Sequence, residues 1–154
     1  MLLAPTERLI PWSMVYLTSN GTVGGNEYGC RQNESTGSQY CYASFSTSIS
    51  YAYSTLQNVG SWREYYSPVP LILDRIDMPV MRSYRAVVGY QIDASLDGIN
   101  YWTVASGTSN FNANPNASAI ITDRRPCKYI KFIYTSASEQ GLMMSAIIIA
   151  QQVK

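Results

Sequence analysis

Tyr90-Gln-Ile-Asp-Ala-Ser95-Leu-Asp97-Gly98-Ile-Asn-Tyr-Trp102-Thr-Val104 is the stretch whose reading decides the fold. Apolar residues recur at every second position from Tyr84 through Ala86, Val88, Tyr90 and Ile92 to Ala94, as a strand with one face on a core requires. Asp97-Gly98 then supplies a turn, since Asp bonds backbone two residues on and Gly tolerates the positive φ of a tight reversal. The alternation restarts at Tyr101–Val104, so the segment is a β-hairpin.

Strand signals separated by turn residues continue on both sides, and no window of helical length carries a 3.6-residue apolar stripe. Upstream, Met14–Ser19 leads into the hairpin dipeptide Asn20-Gly21, and Gly29–Gln39 reads as loop. From Tyr40 to Ser54 the alternation is clean, with Cys41, Ala43, Phe45, Ile49, Tyr51 and Tyr53 opposite a row of serines. That length predicts a bend or bulge within the strand. Gln57–Pro70, framed by Gly60, Pro68 and Pro70, reads as an ordered loop. Downstream, Ser106–Asn116 reads as loop, Ala117–Thr122 and Lys128–Thr135 as strands, and Leu142–Val153 as a strand covered on both faces. The pattern predicts an all-β, jelly-roll-like β-sandwich with Phe45, Ile49, Tyr90, Ile92, Trp102, Ile130, Phe132 and Ile148 inside. At 154 residues, the chain is read as one domain over 1–154.

The hairpin resembles the stretch Tyr-x-Val-x-x-Ser-x-Asp-Gly-x-x-Trp of discoidin or coagulation-factor C-type domains. Cys127-Lys-Tyr129-Ile-Lys131-Phe-Ile is similar to a later strand of that family, and Leu71-Ile-Leu-Asp74 with Met78-Pro79-Val80 to an earlier segment. The resemblance spans roughly 68–153 and implies a galactose-binding-like sandwich. Family members bind glycans, lipid head groups or proteins through loops at one end, often with a structural calcium. The usual acidic calcium loop has no clear counterpart here, the cysteine pair that often ties the termini is missing, and an extra residue, Tyr101, precedes the tryptophan.

Charged residues are only 14% of the chain, against roughly 25% in typical soluble domains. A net charge of +1 gives no long-range field toward nucleic acid or an anionic membrane. The longest apolar run, Ala146–Ala150, is far short of the roughly 20 residues of a membrane-spanning helix, and the N-terminus shows no secretory signal. The absence of histidine excludes ordinary Ser-His-Asp and Cys-His chemistry, and three cysteines cannot make a four-thiolate zinc site. The expectation is a non-enzymatic chain without metal or cofactor. Cys30 and Cys41 either close a Gly/Ser-rich loop as a disulfide or remain two thiols, while Cys127 reads as a small buried hydrophobe.

Trp62, Arg63, Tyr65 and Tyr66 are the candidate ligand-binding residues: flat aromatic faces and a planar multi-donor cation on a proline-framed segment suit a glycan or protein contact. The competing reading has these rings capping the open end of the sandwich. Arg124, Arg125, Lys128 and Lys131 form the one basic cluster, read as a solvated turn and strand face because the net charge is so small. Asp97 is a turn residue. The sequons at Asn20, Asn33 and Asn116 matter only in a secreted eukaryotic chain.

Two functions fit. The first is a structural or assembly component of a virus or phage particle, located in the virion and touching copies of itself or other virion proteins through uncharged, tyrosine-rich surface. The second is a carbohydrate-binding module that takes a neutral, for instance cell-surface, glycan on its aromatic residues.

Overall fold

The structure, a computed structural model, describes residues 8–9, 29–33, 53–56, 59–78, 81–83, 88–109, 117–137, 142–144 and 147–153. These residues form strands and their connections, with no helix among them. The strands are β1 (Arg8–Leu9), β2 (Gly29–Gln32), β3 (Tyr53–Leu56), β4 (Trp62–Met78), β5 (Met81–Ser83), β6 (Val88–Ser95), β7 (Tyr101–Ser109), β8 (Ala117–Ile120), β9 (Cys127–Ala137), β10 (Leu142–Met144) and β11 (Ile147–Gln152). An eight-stranded sheet runs β1-β11-β4-β9-β6-β7, with β2 and β8 also paired to β4, and a three-stranded sheet runs β3-β10-β5.

β4 is the spine, and over 62–70 it corrects the reading of the segment Gln57–Pro70 as loop. Its first half, from Trp62 to Tyr66, lies between β9 and β2; its second half lies between β11 and β8. The change of partners falls at Ser67-Pro68-Val69-Pro70, where the register to β9 shifts between Tyr66 and Leu71. Proline has no N–H to give a ladder, so Pro68 and Pro70 are tolerated only where pairing is interrupted. Ser67 fills the gap locally: its hydroxyl donates to the Val69 carbonyl at 2.7 Å and accepts from the Val69 amide at 3.3 Å. A second irregularity leaves Asp74 unpaired between Leu73 and Arg75 opposite β11. There Arg124 donates to the Asp74 carboxylate at 2.7 Å and to the Leu73 carbonyl at 3.1 Å, clamping the bulge.

Two other boundaries differ from expectation. Residues 29–32, read as loop, are strand β2, and β7 continues to Ser109; within 142–153 the described residues form β10 and β11. The 40–54 strand lies outside the described residues except for 53–54, which open β3, as do Phe45 and Ile49 of the expected core.

The hairpin at 90–104 forms as read, β6 pairing antiparallel with β7 from Val88↔Ser109 to Ser95↔Tyr101. Its turn is held by one carboxylate: Asp97 Oδ1 accepts from the amides of Ile99 and Asn100 at 2.9 and 2.8 Å and from the Ser95 hydroxyl at 3.0 Å, and Oδ2 accepts from the Asn100 side chain at 2.7 Å. Gly98 sits at φ +75°, and a Cβ there would come within 2.9 Å of the Tyr129 ring, so conformation and space both demand glycine. The amides of Asn100 and Ile99 hold the Asp97 carboxyl well below its ordinary range. A depressed folded-state pKa stabilises above the unfolded value, near 3.9, and that stabilisation is lost as pH falls through the folded value. Asp97→Ala is therefore expected to lower the melting temperature at pH 7, with the gap to the parent narrowing as pH drops below about 4. A gap that stays constant to pH 2 would contradict the charged turn.

On one face of the large sheet, Leu71, Leu73, Ile76, Tyr90, Ile92, Ala94, Ile130, Phe132 and Ile148 are buried in one apolar cluster, with Trp102 half-buried against it. All six described members of the expected core are thus placed as read. Tyr65 meets Phe132 edge to face, centroids 5.5 Å apart at 82°. Cys127 is buried in the same cluster; burial first, and the nearby Asp123 charge second, push its thiol up to about 12, which makes it an inert packing group. Cys30 lies on β2 opposite Tyr65, while Cys41 is outside the described residues, so the disulfide alternative stays where the sequence left it.

Candidate functional site

Strand alternation divides the four candidate residues between two faces. Arg63 and Tyr65 point into the interior and are fully buried, 0% exposed, whereas Trp62 and Tyr66 lie half-buried on the opposite face. The four do not form one binding loop. Arg63 is placed next to Tyr134, whose hydroxyl is pushed well above its usual range by burial, with the Arg63 charge acting the other way.

The face that carries Trp62 and Tyr66 is built by register. Glu64 of β4 lies opposite Lys131 of β9, Lys131 opposite Asp93 of β6, and Asp93 opposite Thr103 of β7, one row across four strands. The next row is Tyr66, Tyr129, Ser95 and Tyr101. Directly opposed side chains in such rows start about 4.5–5.5 Å apart and so meet. Tyr66 and Tyr129 do, with ring centroids 5.0 Å apart at a 45° tilt.

At the centre, the Lys131 ammonium stands 3.7 Å from the Tyr101 ring centroid, 4.8 Å from the Trp62 ring and 3.6 Å from the Glu64 carboxylate. The Tyr101 hydroxyl donates to that same carboxylate. Glu64 is 1% exposed and Lys131 17%, so the pair is largely withdrawn from water, where Coulomb and cation–π attraction are least screened. Beside it, Asp93 accepts from the Gln91 amide at 2.8 Å and the Thr103 hydroxyl at 2.9 Å. The face thus combines four aromatic rings, held by neighbours, with hydrogen-bonding groups between them.

Glu64, Asp93, Tyr101 and Tyr129 are not among the ligand-binding candidates of the sequence, and Lys131 is read there only as part of a solvated basic cluster. Tyr101 was visible as the residue inserted before the tryptophan of the resembled motif, and it is the residue that closes this cluster. The others depend on cross-strand register, which single strands do not reveal.

The basic cluster at 124–131 is divided among carboxylates. Arg124 pairs with Asp74, Arg125 with Asp123 through both carboxylate oxygens, and Lys131 with Glu64. Arg125 also lies over the Trp102 ring at 4.4 Å. Its bonds to the Asp123 side chain lead the causes that depress the Asp123 carboxyl. Three of the four cations are therefore already paired; Arg124 and Arg125 lie on the solvated turn as read, whereas Lys131 is largely withdrawn from water. Among the described residues no group of three His, Cys, Asp or Glu side chains could hold a metal ion.

No family model matches the chain, and no curated protein matches it. Solved structures do. CpGH89CBM32-6 produced by Clostridium perfringens aligns with a TM-score of 0.63 at 15% identity, covering 80% of this chain and 94% of the other. The CBM32 of AlyQ in complex with 4,5-unsaturated mannuronic acid aligns at 0.65 and 14%, covering 80% and 95%. An F5/8 type C domain of a protein from Bacteroides fragilis aligns at 0.62 and 12%, covering 82% and 93%. The fold is the discoidin-like, galactose-binding-like β-sandwich that the hairpin's resemblance implied.

Proposed function

We propose that this chain is a non-catalytic carbohydrate-binding module that holds a neutral glycan on the β4-β9-β6-β7 face, over Trp62, Tyr66, Tyr101 and Tyr129. The observation that carries this reading is the set of half-buried rings on one face, Trp62 and Tyr101 around the Lys131–Glu64 pair and Tyr66 against Tyr129. A sugar presents an apolar C–H face and a rim of hydroxyls; flat rings take the first and groups such as Asp93, Gln91 and Thr103 the second. Fixed rings lose little entropy on binding. The similarity to carbohydrate-binding modules supports the same reading. It supports it over the particle-component expectation, which none of the three relatives described above favours.

The test is a glycan array followed by calorimetry on the best neutral ligand. Trp62→Ala and Tyr66→Ala are each expected to weaken binding about tenfold or more, the scale of one lost aromatic contact of about 1.4 kcal/mol. Tyr65→Phe, which alters only the interior, is expected to leave affinity within about twofold. Unchanged affinity in both aromatic variants would move the site off this face.

A further inference from the structure

The charges on the face are unequal, and this bears on which glycans it accepts. Two carboxylates, Glu64 and Asp93, flank one ammonium, Lys131, in a single cross-strand row. The ammonium is committed: it lies against Glu64 and under two rings. Asp93 forms no ion pair among the described residues, and its recorded hydrogen bonds come from two neutral donors, Gln91 and Thr103. Both bonds fall on Oδ1, so Oδ2 keeps its capacity to accept.

We propose that Asp93 sets the charge selectivity of the glycan face, favouring a sugar that carries a free amino group and rejecting one that carries a carboxylate. This inference rests on the glycan-binding reading of the face and narrows its ligand, within glycans that carry no acidic group, to those with a free amino group. A uronate laid over the row meets two carboxylates set against one ammonium, and it finds that ammonium, Lys131, already paired with Glu64, so it is desolvated without compensation. An amino sugar brings the second cation that balances the row's two carboxylates, and the half-buried setting screens the attraction less than open solvent would. The environment of Lys131 shows that this surface accommodates an ammonium beside a carboxylate and aromatic rings. Selectivity against uronates would set this chain apart from the AlyQ module, whose complex holds an unsaturated mannuronic acid.

The experiment compares the parent with Asp93→Asn on an array that carries hexosamine glycans as matched free-amino and N-acetylated forms, together with oligouronates. The parent is expected to bind free-amino forms about tenfold more tightly than their N-acetylated partners and to leave oligouronates unbound. In Asp93→Asn the ratio of free-amino to N-acetylated affinity within the variant should fall to about twofold or less, and weak uronate binding should appear. An amino preference unchanged in Asp93→Asn, or a parent that binds uronates as well as neutral glycans, overturns the proposal while leaving the glycan reading intact. A parent that binds none of the arrayed glycans overturns both. Asp93→Glu, which keeps the charge, should keep the amino preference; loss of the preference in that variant would assign it to shape and contradict the proposal.

Discussion

Phe132→Ala is expected to cost about 3–5 kcal/mol, the range for emptying a large aromatic site in a packed core. Phe132 is 2% exposed, stands between Arg63 on β4 and Ile92 on β6, and packs edge to face with the Tyr65 ring. It joins the two halves of the interior, so neighbours cannot collapse into the space without shifting β9 against both partners. A domain of this size has about 5–15 kcal/mol in all, and the variant should therefore be close to its folding threshold at 37 °C. Urea unfolding checks this: the midpoint should fall sharply with the slope unchanged. A loss under about 1 kcal/mol would mean that this face of the sheet is not the interior.

Lys131→Met carries the second large effect. The substitution keeps an apolar stem against Trp62 and Tyr101 but removes the ammonium from beside Glu64, leaving that 1%-exposed carboxylate without its lysine. Removing one partner of such a pair costs roughly 3 kcal/mol. The cost belongs to the stranded charge rather than to lost packing, so neutralising Glu64 as well should relieve it. The double variant Lys131→Met/Glu64→Gln is expected to be more stable than Lys131→Met alone by about 1 kcal/mol or more, a coupling that a double-mutant cycle measures directly. Strictly additive single effects would show that the two groups do not act as a pair.

The contrast between these two sites shows what a sequence discloses. Phe132 is legible as an interior residue from alternation together with its place in the resembled strand, and Asp97 as a turn residue from its neighbour Gly98, because each signal is only a few residues long. Residues 62–70 were misjudged for an equally physical reason. Pro68 and Pro70 are strong local breakers, yet here they sit where β4 exchanges its partners, so the strand continues through them. Read as loop, that segment hides the alternation of Trp62, Arg63, Glu64, Tyr65 and Tyr66, so two interior residues group with two outer ones. The row from Glu64 to Thr103 depends on the stagger of four strands drawn from positions 62 to 133. No local pattern encodes that stagger. It is set by which side chains reach the interior together, and Tyr101 became readable only when its hydroxyl met a residue 37 positions away.

The most direct test of the account is the crystal structure of the chain with the tightest neutral glycan from the array. The sugar is expected to lie across β4, β9, β6 and β7, with a ring face against Trp62, Tyr66, Tyr101 or Tyr129 and a hydroxyl on Asp93. A sugar seated at the 121–126 connection or another end loop, touching none of these residues, would contradict it.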